Sequence, residues 1–301
     1  MAKKDSPVYI AGFALGVCLV CSLGVSSAAI FLKDRQVENA IVDQQKKVLD
    51  VAGLLKPDAA PSNDEVQALY TERIVPQLIE LETGEPMAEY EGMGTAEYEP
   101  MVAAKKAKLE APPNDAKVRF LPEVHEVFYL VDQKGQVKKL ILPIEGYGLW
   151  GFLYGYLAVE TDGVTIAGIT YYKHAETPGL GGEVDNPNWK GLWKGKKIFR
   201  EGEEEVAIAV VKNANDEYSV DALSGATITS RGVTNMLEFW LGEHGFGPFL
   251  AKVRDEGPPE IVGYEPGAAA EIETQPAGNR VESQAHDNRV YQGQQSDPEG
   301  E

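Results

Sequence analysis

The chain has 301 residues, 43% hydrophobic and 25% charged, a composition that can bury a core and excludes a wholly disordered polymer. Its 28 basic against 47 acidic residues leave a formal net charge of −19, which would repel a nucleic-acid backbone. Two cysteines, Cys18 and Cys21, and four histidines are too few for a disulfide scaffold, an iron–sulfur cluster or a structural zinc, so no metal site is expected.

After a short flank, residues 1–7, no charged residue occurs from Val8 to Leu32. At about 1.5 Å per residue a helix of this length crosses the hydrocarbon core of a bilayer. A cleaved signal peptide is the competing reading, kept open by the small residues Ser26, Ser27, Ala28 and Ala29. The run exceeds the roughly 7–15 apolar residues of a signal core, which favours an uncleaved anchor. Cys18 and Cys21 form a C-x-x-C inside this segment, where small helix-packing side chains are a better reading than a redox pair. Lys3 and Lys4 precede the span while Lys33, Arg35, Lys46 and Lys47 follow it, so the charge count does not settle the orientation.

Residues 33–122 read as helical stalk and packing segments. Val37, Ile41, Val48, Val51 and Leu55 recur at helical spacing and predict a helix ending before Pro57. Asp64 to Leu81 is also predicted helical, kinked or split at Pro76, whereas Thr83 to Asn114 has weak periodicity and no assignable chemistry. A β-rich body is expected over 123–255. Val124 to Val131 and Val137 to Ile141, around Lys134-Gly135-Gln136, read as one hairpin; Tyr156 to Glu160 and Val164 to Tyr172, around Asp162-Gly163, read as a second. Between them, Gly146-Tyr147-Gly148-Leu149-Trp150-Gly151 interleaves glycine with aromatics, which suits either a planar ligand or a packed turn. Glu205 to Val211 supplies another strand, and neither a G-x-G-x-x-G nor a P-loop pattern is present.

Two stretches carry candidate chemistry. Glu176-Thr177-Pro178-Gly179-Leu180-Gly181-Gly182-Glu183 follows a strand as an irregular loop rich in backbone donors, suited to ligand capture, with Trp189 and Trp193 close behind. Asp221 to Ser230 places Gly225 and Ala226 among hydroxyl residues just before an amphipathic helix marked by Val233, Met236, Leu237, Trp240 and Leu241. Ser230 or Thr229 is expected to cap that helix, and the loop reads either as an ordinary Ser/Thr cap or as a phosphate site at a helix N-terminus. A serine-hydrolase role for Ser224 is disfavoured, since G-x-S-x-G is absent and no histidine is placed to act as its base.

The S-G-A-T of Ser224 to Thr227, preceded by Asp221, resembles the covalent flavin attachment motif of bacterial respiratory subunits. With E-T-P-G-L-G-G-E-V at Glu176 to Val184, N-P-x-W at Asn186 to Trp189, W-x-G-K-K at Trp193 to Lys197 and F-W-L-G-x-x-G-F-G-P-F-L at Phe239 to Leu250, the chain from the anchor to about Arg254 is similar to the NqrC family of sodium-translocating NADH:quinone oxidoreductases. The resemblance implies an α+β fold: a single N-terminal transmembrane helix, then an extracytoplasmic mixed α/β FMN-binding domain. It implies covalent FMN as the cofactor, joined by a phosphoester to Thr227, with Ser224, Gly225 and Ala226 bordering the phosphate. Thr177, Gly179, Leu180, Leu149 and Trp150 are the candidates for the other flavin contacts, and Asp221 is expected to assist the modification without touching the ring.

The implied role is electron carriage between partner subunits of a sodium-pumping NADH:ubiquinone oxidoreductase, with NADH oxidation, quinone reduction and sodium passage in other subunits and no catalytic residue in this one. Implied partners are those subunits, a dedicated flavin transferase and membrane lipid, with the domain on the periplasmic side of the bacterial inner membrane. The FMN subunit of an Rnf-type electron-transport complex and a membrane-anchored binding module without redox chemistry are the alternatives. The family usually stops soon after G-F-G-P-F-L-x-K-V-R, whereas this chain continues through an acidic stretch, 256–301, expected to be disordered. Phe246, Phe249 and Leu250 just before it are expected to pack against the helix that follows the flavin loop.

Overall fold

The apolar run and the amphipathic stretch behind it form one unbroken helix, α1 (Pro7–Ala52). Pro7 opens it where a missing N–H has no intrahelical partner to lose. Gly53, left-handed at φ 80°, closes it by donating its N–H to Asp50 O. The helix thus stops a few residues earlier than the spacing predicts, and Pro57 lies outside the described residues, which in this computed structural model are 6–56 and 60–263. Most of the acidic stretch expected to be disordered, from residue 264 on, lies outside them too. The stretch Pro7–Lys33 is long and apolar enough to cross a membrane and buries nothing inside the protein. Farther along the same helix, Val42, Val48, Leu49, Val51 and Ala52 are buried.

Helix α2 (Asn63–Arg73) begins at Ser62, whose hydroxyl accepts from Glu65 N while the Glu65 carboxylate accepts from Ser62 N. It ends where Ile74 and Val75 begin strand β1 (Ile74–Glu80), so the helix expected through Leu81 is corrected to a helix followed by a strand. Pro76 sits inside that strand. Strand β2 (Pro86–Met87) pairs only with Leu78 and Ile79, and Glu80 N donates to Glu85 O on the same side. The two-residue period turns Pro76 that way too, past the end of β2, where no ladder partner awaits its missing N–H.

After α3 (Pro100–Ala107), strands β3 (Val124–Val131), β4 (Val137–Tyr147), β5 (Phe152–Glu160) and β6 (Ile166–Lys173) run as an antiparallel meander, and the six-stranded sheet has the order β2-β1-β3-β4-β5-β6. Both expected hairpins are present. β4 and β5 extend beyond the predicted segments, so the glycine-aromatic stretch becomes the tip of a further hairpin. β1 pairs with β3 from Ile74 opposite Leu130 to Glu80 opposite Val124, so residue 123, where the β body was expected to start, falls between two neighbouring strands of one sheet.

A short 3-10 turn (Gly181–Asp185), α4 (Pro187–Gly191) and a parallel pair, β7 (Ala209–Val211) and β8 (Ser219–Asp221), lead into α5 (Thr227–Leu241) and α6 (Gly247–Glu256). Only the last part of the strand expected over Glu205 to Val211 is regular. The sheet is covered on both faces, which explains why β3 is buried along its whole length. Phe128 and Leu130 pack toward α1 and α2, whereas Val127, Tyr129 and Val131 join the core beneath α5 and α6. Phe246, Phe249 and Leu250 are buried there as expected, Phe246 stacking on Trp240 at 5.6 Å between ring centroids. Each such side chain contributes about 1.5–3 kcal/mol by its burial. The α+β architecture behind an apolar N-terminal helix matches the expectation.

Candidate functional site

Strands β4 and β5 close through Gly148 to Gly151, with Gly148 N donating to Gly151 O at 2.8 Å. The two middle side chains point into solvent: Leu149 is 39% exposed and Trp150 is 64% exposed. Beneath them lies the Glu176 carboxylate, on a residue only 5% exposed. Its Oε1 accepts from Leu149 N and Trp150 N, both at 2.9 Å, and its Oε2 accepts from Thr229 Oγ1 at 2.5 Å. Glycine is required around this group. A Cβ on Gly148 would stand 2.6 Å from Glu176 Oε1, and one on Gly181 would stand 2.6 Å from Thr229 Oγ1. Glu176 N in turn donates to His174 Nδ1 at 3.2 Å, while His174 Nε2 meets Asp185 Oδ2 at 2.9 Å, which ties the start of the loop to the 3-10 turn.

Helix α5 starts at Thr227, so Thr229 and Ser230 lie within its first turn and neither caps it. That expectation is corrected because both hydroxyls are taken by buried partners: Thr229 by Glu176, and Ser230 Oγ by Leu223 N, which donates to it at 3.0 Å from seven residues upstream. The N-cap position falls to Ala226, which has no side chain able to accept, and the first N–H groups of α5 therefore lack a side-chain cap. Thr227 and Ser224 are both exposed beside this opening. The helix is pressed onto the end of β4 by glycines from both partners: a Cβ on Gly146 would stand 2.6 Å from Met236 Cβ, and one on Gly232 would run into the Tyr147 carbonyl.

Three distant segments meet in this way: the hairpin tip 148–151, the loop 176–182 and the turn 224–229. Gly225, at φ +71°, leaves room for Leu180, whose Cδ2 would be 3.1 Å from a Cβ there. Thr177 is exposed, and its carbonyl accepts from Leu180 N at 3.1 Å and Gly182 N at 2.9 Å, closing the loop across the left-handed Gly179. Ala226 is buried, whereas Leu180 is 45% exposed and Ile228 is 56% exposed. Sequence reasoning singles out neither Ile228 nor Glu176 as a site residue. The one local signal for Glu176 is an acidic residue between a strand and a glycine loop. Asp221 engages elsewhere, its Oδ1 accepting from Ala214 N at 2.9 Å and its carbonyl from Trp189 Nε1 at 2.8 Å. Trp189 and Trp193 are core residues that support the loops from behind.

An uncapped helix N-terminus with an exposed hydroxyl on its first residue suits a phosphate group, and the apolar rim of Leu149, Trp150, Leu180 and Ile228 suits a planar ring. Among the described residues no group of three or more His, Cys, Asp or Glu side chains could hold a metal ion.

Residues 148–242 match the family model of the FMN-binding domain, a range that starts at the hairpin tip, ends just past α5 and takes in all three segments. The NqrC subunit of the Na(+)-translocating NADH-quinone reductase of Vibrio parahaemolyticus is 46% identical over 264 residues, 85% of this chain and 98% of the relative. The chain belongs to the NqrC family of Na(+)-translocating NADH-quinone reductase subunits. The family member from Pseudomonas aeruginosa is 43% identical over 263 residues, 84% of this chain and 98% of its own. Among solved structures, Shewanella oneidensis NqrC has a TM-score of 0.62 at 34% identity, covering 70% of this chain and 96% of that one. The corresponding reductase subunit from Parabacteroides distasonis has a TM-score of 0.55 at 33% identity, covering 71% and 94%.

Proposed function

We propose that this chain carries FMN through a phosphoester on Thr227 Oγ1 and relays electrons between subunits of a sodium-translocating NADH:quinone oxidoreductase. The observation that carries the reading is the division of labour on the first turn of α5. Thr229 and Ser230 are buried and bonded, while Thr227 presents an exposed hydroxyl where the helix N–H groups lack a side-chain cap. A phosphate there gains from the positive helix end, by about 0.3–1 kcal/mol at an exposed position.

The residues present fit the cofactor. Ser224, Gly225 and Ala226 would border the phosphate, and Leu149, Trp150, Thr177, Gly179 and Leu180 would hold and orient the remainder, with Ile228 added to the rim. FMN supplies the redox chemistry when bound. The chain itself provides attachment, orientation and a partly apolar cover, and no residue acts as a catalyst. Val8 to Leu32, within the apolar stretch Pro7–Lys33, crosses the bacterial cytoplasmic membrane once, without cleavage, and the domain stands on the periplasmic side, where a flavin transferase modifies it. Asp221 assists that modification from outside the ring's surroundings.

Intact mass of the purified chain, with peptide mapping of 224–230, tests the reading. The expected result is one FMN phosphoester at Thr227 on a chain that retains Val8 to Leu32. An unmodified chain, or flavin on Ser224, would overturn the attachment, and a new N-terminus near Ala29 would overturn the anchor.

A further inference from the structure

The carboxylate of Glu176 joins segments that are far apart in the chain. Thr229 lies 53 positions away, and Leu149 and Trp150 lie 27 and 26 away in the other direction. Two consecutive backbone N–H groups of an exposed hairpin tip are aimed inward at one oxygen, and the first turn of α5 is held by the other. The space is shaped for this group, since side chains at Gly148 or Gly181 would displace it. Turning the tip amides inward also leaves the Leu149 and Trp150 side chains facing out. We propose that Glu176 is the positioning residue of the flavin site, clamping the hairpin tip 148–151 onto the first turn of α5 so that rim and acceptor hydroxyl are in register before any ligand arrives. Preorganisation of this kind lowers the ordering cost when the ligand binds. The inference rests on the proposed flavin site for its meaning, while the clamp itself can be measured without flavin.

The test uses the full chain in detergent, in a flavin-free Thr227→Ala background and again in the flavinylated parent. Without flavin, hydrogen exchange should show the Leu149 and Trp150 amides protected despite their exposed side chains. Glu176→Ala should speed their exchange at least tenfold and leave the β1–β3 ladder unchanged. Glu176→Gln should restore most of the protection, because its carbonyl oxygen can accept from both amides while its NH2 donates to Thr229 Oγ1. In the flavinylated chain, Glu176→Ala should at least halve the visible circular dichroism of the flavin relative to the parent at equal flavin content, and Gln should recover it. Should Glu176→Ala not fold, Thr229→Val carries the test by cutting one arm, with a threefold or greater increase in tip exchange expected. Unchanged tip exchange in Glu176→Ala or Thr229→Val, or a Gln variant as disruptive as Ala, would overturn the clamp. Absence of flavin from the parent would instead overturn the attachment reading and leave the exchange result standing.

Discussion

Beneath the hairpin tip, polar groups are matched: Glu176 accepts three hydrogen bonds, and the hydroxyls of Thr229 and Ser230 both have buried partners. Above it the pattern reverses, with Leu149, Trp150, Leu180 and Ile228 left facing solvent around an exposed Thr227. Ordinary folding hides such apolar side chains and leaves polar ones in water. None of the floor's hydrogen bonds uses a rim side chain. The floor holds three loops together, and the rim remains available to cover another molecule.

The largest effect is expected from Thr227→Ala. Covalent flavin should vanish completely, while unfolding free energy stays within about 0.5 kcal/mol of the unflavinylated parent chain, as for other exposed substitutions. Mass spectrometry and denaturant melts decide it, and a substantial loss of stability would mean that Thr227 belongs to the floor. Next comes Gly181→Ala, where the new Cβ must displace the Glu176 carboxylate or Thr229 Oγ1. Overpacking of this kind should cost about 1–3 kcal/mol and reduce flavin content with it, which melts and flavin absorbance will measure together.

Acid should act on floor and rim alike, because it works through the sheet below both. His125 on β3 stands edge-on to Trp240 and Phe246, with centroids 5.2 and 5.4 Å away, and burial pushes its pKa down to about 4. An unfolded histidine titrates near 6.5, so between the two values the unfolded chain binds the extra proton. Stability is therefore full above about pH 6.5 and is lost as pH falls toward the folded value, by about 2 kcal/mol between pH 7.5 and pH 5. Denaturant melts at those two pH values should show the loss, and His125→Gln should flatten it. The smallest effect is expected from Trp150→Ala on the rim. Its stability should change by less than about 0.5 kcal/mol, with the response confined to the visible dichroism and fluorescence of the bound flavin.

What can be read from residues alone follows the range of the interactions involved. The hairpins at Lys134-Gly135 and Asp162-Gly163 announce themselves through local turn chemistry, and Thr227 stands inside a contiguous motif. Pro76 misleads because Ile74, Val75, Leu78, Ile79 and Leu81 fit a helical pattern as well as a strand buried on both faces. Deciding between them requires knowing that β2 stops before reaching Pro76. The cap of α5 misleads for a related reason: Thr229 has the right chemistry for an N-cap, but its hydroxyl is claimed by a residue 53 positions upstream. Glu176 is visible as part of a loop, yet its role exists only once three remote segments are brought together.

The continuity of α1 also has a mechanical consequence. From Lys33 at the end of the apolar stretch to Val42 in the core the helix runs without a break. If the apolar half lies in a bilayer, a change of about 10° in its tilt, pivoted near mid-membrane, swings the far end of the helix sideways by about 8 Å, at about 1.5 Å of rise per residue. A helix that stays straight carries the mounted domain with it, so bilayer thickness and the packing of neighbouring spans then bear on where the loop cluster points.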